Sequence, residues 1–523
     1  MEKGQTCASL YEILSVDRQH YLDRARDAAL VTIPSLVPPD GHNSSTKYYV
    51  PYQSVGARLL NNLSATLLFG LFPPNTSVLK LTVDDYTTVK LSQDKSARAK
   101  VDESFNRFER AVMTEVETMG IRPPTFEMLR QLIVAGNVTF YTPGEGRPRI
   151  FRLDSYVCRR DPVGNLMDWV GKEEVSFGVL SDEEKEFVSD SKTRENNERN
   201  ENTVVVFTRY YRDGNKYKLY QEIEGHRVPS SEGEWDLDKG PILALRWNAI
   251  NGEDYGRSYV DEYIGDLSSL EALTKAILEG AAASAKMLWL VNPNGTTRMR
   301  DIANAPNCAV VQGNSSEVTV LQAQKHADFS TAVQTADKII ERLSFAFLMN
   351  ASVQRNAERV TAEEIRFVAS QLENSLGGVY SILSQEFQLP FINRIIDRMV
   401  KQKKLPKLPD DIVRPIIVTG LEALGRGHDL TKYQTFFSVL GPLGLEIIQQ
   451  HINVSDLVKR VGTSLGIDMT GLVKTEEQLQ AEREEAQRAQ MQSLMASTAG
   501  KMLETATPET IKGIREEMQV KND

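Results

Sequence analysis

In the stretch Phe345-Ala-Phe-Leu-Met-Asn350-Ala-Ser-Val-Gln-Arg355-Asn-Ala-Glu-Arg-Val360-Thr-Ala-Glu-Glu364 an apolar helix end gives way to a polar, arginine-bearing loop, and a second helix starts at once. Thr361-Ala-Glu-Glu364 has the form of a capping box, in which the Thr361 hydroxyl accepts from a first-turn amide while Glu364 reaches back to the amide of Thr361. Behind it, Ile365, Val368, Leu372, Leu376, Val379 and Leu383 recur at spacings of three and four and lay one apolar stripe along a long helix. Gly377-Gly378 interrupts that helix, which predicts either a kink or a close approach of another backbone. A loop of this kind at the head of a long helix, with no chemical motif in it, reads as scaffolding around something.

Working outward toward the N-terminus, a helix from about Ala327 to Met349 carries Val333, Ala336, Ile340, Leu343 and Phe347 on one face. An earlier helix runs from Tyr259 through Tyr263, Leu267, Leu270 and Ile277 to the small-residue run Ala281-Ala-Ala-Ser-Ala285. Between the two lie short strand-like runs, Met287 to Val291, Cys308 to Gln312 and Val318 to Leu321, punctuated by Asn292-Pro-Asn-Gly295 and Gly313. Two long helices bracketing a small α/β knob predict a stalk with a tip.

The rest divides by its hydrophobic period. Residues 8–30, Val55 to Leu71, Lys100 to Met119 and Thr125 to Ala135 read as helices, the last closed by Gly136. From Val138 to about 250 the runs alternate, with a hairpin signal at Asp213-Gly214. Within that region 181–202 is a charged tract expected to be a solvated helix entering a loose insertion. After Pro390 the basic run Arg398 to Lys407 reads as a solvated helix end or a phosphate-facing surface, and Val413 to Thr419 returns as a strand. From 429 onward helices are expected, one of them opened by the box Thr475-Glu-Glu-Gln478. The fold class is α+β, mainly helical.

The stretch from Asn350 to Pro390 resembles the tunnel loop and long helix of the portal, or head-to-tail connector, of short-tailed bacteriophages of the autographivirus type. Further segments resemble that family in the same order: Tyr21 to Pro38 with Thr-Ile-Pro-Ser, Val55-Gly-Ala-Arg-Leu-Leu-Asn-Asn-Leu63, Val134-Ala-Gly-Asn-Val138, Tyr255-Gly-Arg-Ser-Tyr259, Val291-Asn-Pro-Asn-Gly295 and Thr419-Gly-Leu-Glu-Ala-Leu-Gly-Arg-Gly427. The resemblance runs from roughly residue 8 to 480.

It implies a portal fold assembling as a ring: a wing at 1–256, a first stem helix at 257–286, a clip at 287–325, a second stem helix at 326–349, a tunnel loop, long wing helix and return strand at 350–428, and a helical crown or barrel at 429–523. The implied function is a dodecameric ring at the capsid vertex through which double-stranded DNA is packaged and ejected. Its implied partners are further copies of the chain, the DNA, terminase, the major capsid and scaffolding proteins, and the tail adaptor and internal core proteins. It would be assembled in the host cytoplasm and end in the virion. The DNA channel would be lined by Asn350, Ser352, Gln354, Arg355, Asn356 and Arg359, and the tip would meet terminase and adaptor through Asn292, Asn294, Thr296, Arg298 and Arg300.

Composition sets bounds around this reading. A chain of 523 residues exceeds one hydrophobic core, so two to four domains are expected. The net charge of -10 argues against a tight nucleic-acid binder; it suits acidic channel walls that repel phosphates, and it equally suits a plain solubility charge. The most apolar run, Leu59 to Phe72, is interrupted by Asn61, Asn62, Ser64 and Thr66 and is too short to span a membrane. The start, Met-Glu-Lys-Gly-Gln, lacks the apolar stretch of a signal peptide, so folding in a cytoplasm is expected.

Cys7, Cys158 and Cys308 are far apart, which indicates neither a disulfide framework nor a zinc site; Cys158 and Cys308 are expected as buried small residues. The six histidines lack ligand spacing, and no cofactor is expected. There is no GxxxxGK[ST], GxSxG or kinase set. Adjacent carboxylates such as Asp84-Asp85 and Glu363-Glu364 point to different sides of a helix. An enzyme is therefore not expected. The competing readings are an oligomeric tail or adaptor ring without a DNA channel, and a metal-dependent nucleic-acid enzyme.

Overall fold

A computed structural model describes residues 6–73, 77–83, 95–186, 188, 203–284, 288–321, 326–349, 378, 382–407, 413–417 and 491. The chain separates into two compact units, Met1–Leu424 and Gly425–Asp523. Everything below concerns the first; the expected helices after residue 429, Met491 aside, lie outside the described residues.

The body opens with α1 (Cys7–Leu30), α2 (Val55–Leu71), β1 (Leu79–Val83), α3 (Lys95–Thr118) and α4 (Arg122–Ala135). β2 (Asn137–Tyr141), β3 (Arg149–Phe151), β4 (Tyr156–Arg160) and β5 (Leu166–Ser176) follow, then the short α5 (Asp182–Glu186). β6 (Thr203–Asp213), β7 (Lys216–Ile223), β8 (His226–Asp236) and β9 (Ile242–Arg246) complete the strand-rich part. β4 to β8 form an antiparallel meander in sequence order, while β3, β2 and β9 make a separate small sheet with β2 in the middle.

Each junction has a local cause. The turn between β6 and β7 pairs Asp213 with Lys216 and places Gly214 at φ +59°, which an L side chain tolerates poorly. Gly136 closes α4 at φ +70°, and its amide donates to the Leu132 carbonyl. A Cβ there would lie 2.6 Å from the backbone of Arg257, so the glycine also permits a close crossing. Asn137 holds that crossing together: its Nδ2 donates to the Gly256 carbonyl at 2.8 Å and its Oδ1 accepts from the Gly256 amide at 2.7 Å. Two of the short sequence motifs, 134–138 and 255–259, thus form one contact.

The N-terminal helix is pinned to the meander by charge as well as by apolar packing. The Cys7 amide donates to both carboxylate oxygens of buried Glu222 on β7, at 2.9 and 3.0 Å. A carboxylate at a helix N-terminus satisfies an orphan amide and opposes the helix dipole. Eleven residues on, buried Arg18 donates to the Tyr11 hydroxyl and to the carbonyls of Asp154 and Tyr156, at 2.8, 3.0 and 3.0 Å.

The stalk is made by α6 (Tyr259–Ser284) and α8 (His326–Ala346), which pack on each other. Between them lie β10 (Leu288–Val291), α7 (Met299–Ala303) and β11 (Val318–Leu321). β10 and β11 pair antiparallel, Leu290 opposite Thr319. The expected strand from Cys308 to Gln312 is absent: these residues form no regular structure. Apolar β-branched composition alone does not make a strand without a ladder partner.

The long helix after the capping box lies largely outside the described residues, as do Thr361 and Glu364. Gly378 has φ +89°, which is not helical, so a continuous helix is broken there. A π-turn at Ser384–Gln388 then leads into α9 (Leu389–Lys401). Phe387 and Phe391 pack edge-on against Phe140, with ring centroids 5.0 and 5.8 Å away. The basic end of α9 is ion-paired: Lys401 with Asp397 at 2.9 Å, Lys404 with Glu115 at 3.0 Å and Arg398 with Glu115 at 3.6 Å. β12 (Val413–Ile417) returns antiparallel to β1. No described helix is long and apolar enough to cross a membrane.

Candidate functional site

At the base of the stalk, the sequence fixes where the polar loop must begin. α6 starts with a reciprocal cap: Asp261 N–H donates to Ser258 Oγ at 2.9 Å, and Ser258 N–H to Asp261 Oδ2 at 3.4 Å. Its first turn then presents Tyr259 and Tyr263 to Phe347, with ring centroids 5.0 and 5.4 Å apart. Burial pushes the Tyr259 phenol well up, with the Tyr263 hydroxyl adding to it, so Tyr259 remains a hydroxyl donor. It donates to the Ala346 carbonyl at 2.9 Å.

The next carbonyl, that of Phe347, accepts from Asn62 Nδ2 on α2 at 3.2 Å. The last turn of α8 thus has two successive orphan carbonyls satisfied by side chains of two other helices. Leu348 follows at φ +57°, buried and in the left-handed region that disfavours a side chain. Such a conformation costs on the order of 1–3 kcal/mol and persists only where surroundings enforce it. The loop leaves the body from this fixed and strained root.

The other end of the stalk is separated from the body by the length of α6, whose 26 residues span about 39 Å at 1.5 Å per residue. Its tip is too small for a core of its own and is organised instead around one carboxylate. Glu317 accepts from the Thr297 amide at 2.9 Å, from the Thr297 hydroxyl at 2.8 Å and from the Thr296 hydroxyl at 3.2 Å. These hydrogen bonds, led by that of the Thr297 hydroxyl, hold the Glu317 carboxyl below the usual range. Thr297 Oγ1 accepts in turn from the Asn314 amide at 2.9 Å. Gly295 and Gly313 allow this closeness, since a Cβ on either would stand 2.6 Å from Glu317 or Thr297.

The tip residues singled out from sequence, Asn292, Asn294, Thr296, Arg298 and Arg300, are all exposed. Sequence reasoning missed Thr297 and Glu317, which hold them in place. The signal available was only the spacing of Gly295 and Gly313, which marks turns but not what packs into them. Cys158 is buried as expected, but Cys308 is exposed, at φ +66° in a turn of the tip, because no apolar layer there can cover it. Asn350, Ser352, Gln354, Arg355, Asn356 and Arg359 lie outside the described residues. Among the described residues no three His, Cys, Asp or Glu side chains gather as a metal site.

A model of the bacteriophage head to tail connecting protein family matches residues 4–473. The chain belongs to that family. Individual relatives of this connector agree along most of its length. The portal protein of Escherichia phage T7 is 42% identical over 90% of this chain and 89% of its own. That of Enterobacteria phage T3 is 41% identical over 96% and 95%, and that of Pseudomonas phage phiKMV 29% over 94% and 96%. Among solved structures, the neck of an empty gene transfer agent particle computed with C6 symmetry aligns with 80% of the connector and 90% of that chain. That alignment has 11% identity and a TM-score of 0.37, too distant to bear on the fold.

Proposed function

We propose that this connector is the portal subunit of a short-tailed phage, twelve copies of which close a ring at one vertex of the capsid. Double-stranded DNA passes through the ring on packaging and ejection. In this reading the body is the wing, α6 and α8 are the stem, and residues 287–325 are the clip. Residues 350–360 line the channel, 361–428 return to the wing, and 429–523 form a crown. The ring nucleates procapsid assembly with the scaffolding and major capsid proteins. Its clip then docks terminase and, later, the tail adaptor. It acts as a conduit, and none of its side chains is assigned a catalytic role.

The observation that carries this is the agreement with portal proteins over nine-tenths of both chains. The stalk supports it physically. Leu278, Val333 and Phe345 on α6 and α8 are 51%, 43% and 78% exposed, and a two-helix hairpin gains most of its stability from packing. Neighbouring copies in a head-to-tail ring would cover these side chains. An adaptor ring without a DNA path lacks support of comparable extent. Sedimentation velocity tests the proposal: it expects a single large species near twelve chain masses across micromolar concentrations. A monomer over that whole range overturns it.

A further inference from the structure

The tip holds a strand's worth of chain with nothing to pair with. Between Pro306 and Asn314 the backbone is anchored at both ends. The Ala309 amide closes a turn onto the Pro306 carbonyl at 3.1 Å, and the Asn314 amide is fixed to Thr297 Oγ1 at 2.9 Å. Gly313, pressed against Thr297, leaves no room for that end to shift. Between these anchors, Val310, Val311 and Gln312 make no backbone hydrogen bond among the described residues. Val310 is fully exposed, and none of Ala309 to Gln312 has a positive φ. β-branched residues presented this way have strand propensity and a backbone free to use it.

The same tip offers the complement. β10 and β11 form a sheet of two strands, so each has one edge without a ladder partner among the described residues. Edge strands are normally guarded by lysine, proline or a bulge. Leu288-Trp-Leu-Val291 and Val318-Thr-Val-Leu321 contain no charge and no proline, and their four-residue register is unbroken. Each is four residues long, as is Ala309 to Gln312.

We infer that Ala309 to Gln312 of one copy adds as a strand to an open edge of the β10–β11 sheet of the next copy, so that the tips of the ring are stitched by main-chain hydrogen bonds. The occupant is a second copy rather than a foreign strand because each chain carries both a free segment and a free edge of equal length. Such a donor–acceptor pair repeats head to tail, and ring closure leaves no edge open. Because both anchors pre-set the segment, little ordering entropy opposes the pairing. The inference rests on the portal reading and adds to it a specific contact.

The test uses the full chain in a Cys308→Ser background. Subunits bearing Val310→Cys are mixed with subunits bearing either Leu290→Cys or Thr319→Cys, the central residues of the two edge strands. The rings are oxidised and run on a non-reducing gel. One of the two mixtures should give a covalent dimer that neither variant gives alone. In parallel, Val310→Pro removes a strand donor at a side chain that is solvent-exposed within its own subunit, while Val310→Thr keeps strand propensity. Rings of the proline variant should dissociate at lower denaturant than wild type, and those of the threonine variant at the wild-type concentration. Wild-type rings that form while neither mixture cross-links and Val310→Pro dissociates like wild type overturn the inference and leave the portal reading standing. A wild-type chain that never forms a ring removes both.

Discussion

Asn62 Nδ2 donates to the Phe347 carbonyl at 3.2 Å, joining two segments 285 positions apart at the point where the polar loop leaves α8. Together with the Tyr259 hydroxyl on the Ala346 carbonyl, it makes the end of α8 a fixed post rather than a frayed helix terminus. The position of residues 350–360 therefore depends on α2 and α6.

Asn62→Ala removes one of these partners and leaves a half-buried carbonyl unsatisfied, at a cost of about 1–2 kcal/mol. Thermal unfolding should show a lowered midpoint, with ring formation retained. Phe347→Ala, which empties a fully buried aromatic contact with Tyr259 and Tyr263, should cost more, about 3–5 kcal/mol. An Asn62→Ala chain as stable as wild type would show that the post is held by the aromatic packing alone.

The thiols should divide by environment. Burial pushes Cys7 up to about 12 and raises Cys158 as well, so both remain buried, protonated thiols at pH 8. Cys308 is exposed. A maleimide added to native protein should label Cys308 alone, and Cys308→Ser should abolish labelling until the chain is unfolded. Rapid native labelling of Cys7 would contradict the pinning of α1 onto β7.

Acid should loosen the tip before the body. The Glu317 carboxyl is held low in the folded state by donors from Thr297 and Thr296. The stabilisation it gives is present above its unfolded value near 4.5 and is lost as pH falls through the lowered folded value. Hydrogen exchange at the Thr297 and Asn314 amides should accelerate below about pH 4 while α1 amides stay protected. Glu317→Gln should flatten that dependence. Equal acceleration in wild type and Glu317→Gln would remove the carboxylate from the account.

The two ends of the stalk should be separable by substitution. Arg298→Ala with Arg300→Ala changes only exposed tip side chains and spares Thr297, whose loss would collapse the tip. It should leave rings intact while impairing packaging or tail joining. Arg355→Ala with Arg359→Ala should instead alter DNA retention or packaging, since arginines in such a loop contact phosphates without reading bases. Unchanged packaging, retention and tail joining in both double variants would contradict the assignment of either end.

Sequence pattern was sufficient wherever a local rule dominated. Gly136 ends α4, Gly214 turns the β6–β7 hairpin, and the stalk helices follow their period. It could not pair segments far apart: nothing in 134–138 announces 255–259, and the Asn137–Gly256 exchange appears only in three dimensions. The same limit hid Glu317, an ordinary surface glutamate by sequence that organises the tip. At Cys308 to Gln312 composition pointed to a buried strand, but within one chain the tip supplies neither a ladder partner nor an apolar layer.

Single-particle electron microscopy of the purified full chain tests the central claim most directly. The account predicts a closed ring of identical subunits with a stalk and an open axial bore that admits duplex DNA, with residues 350–360 of every copy at its narrowest level. A ring without a through-going bore, or one in which Arg355 and Arg359 lie on the outer surface away from the axis, would contradict it.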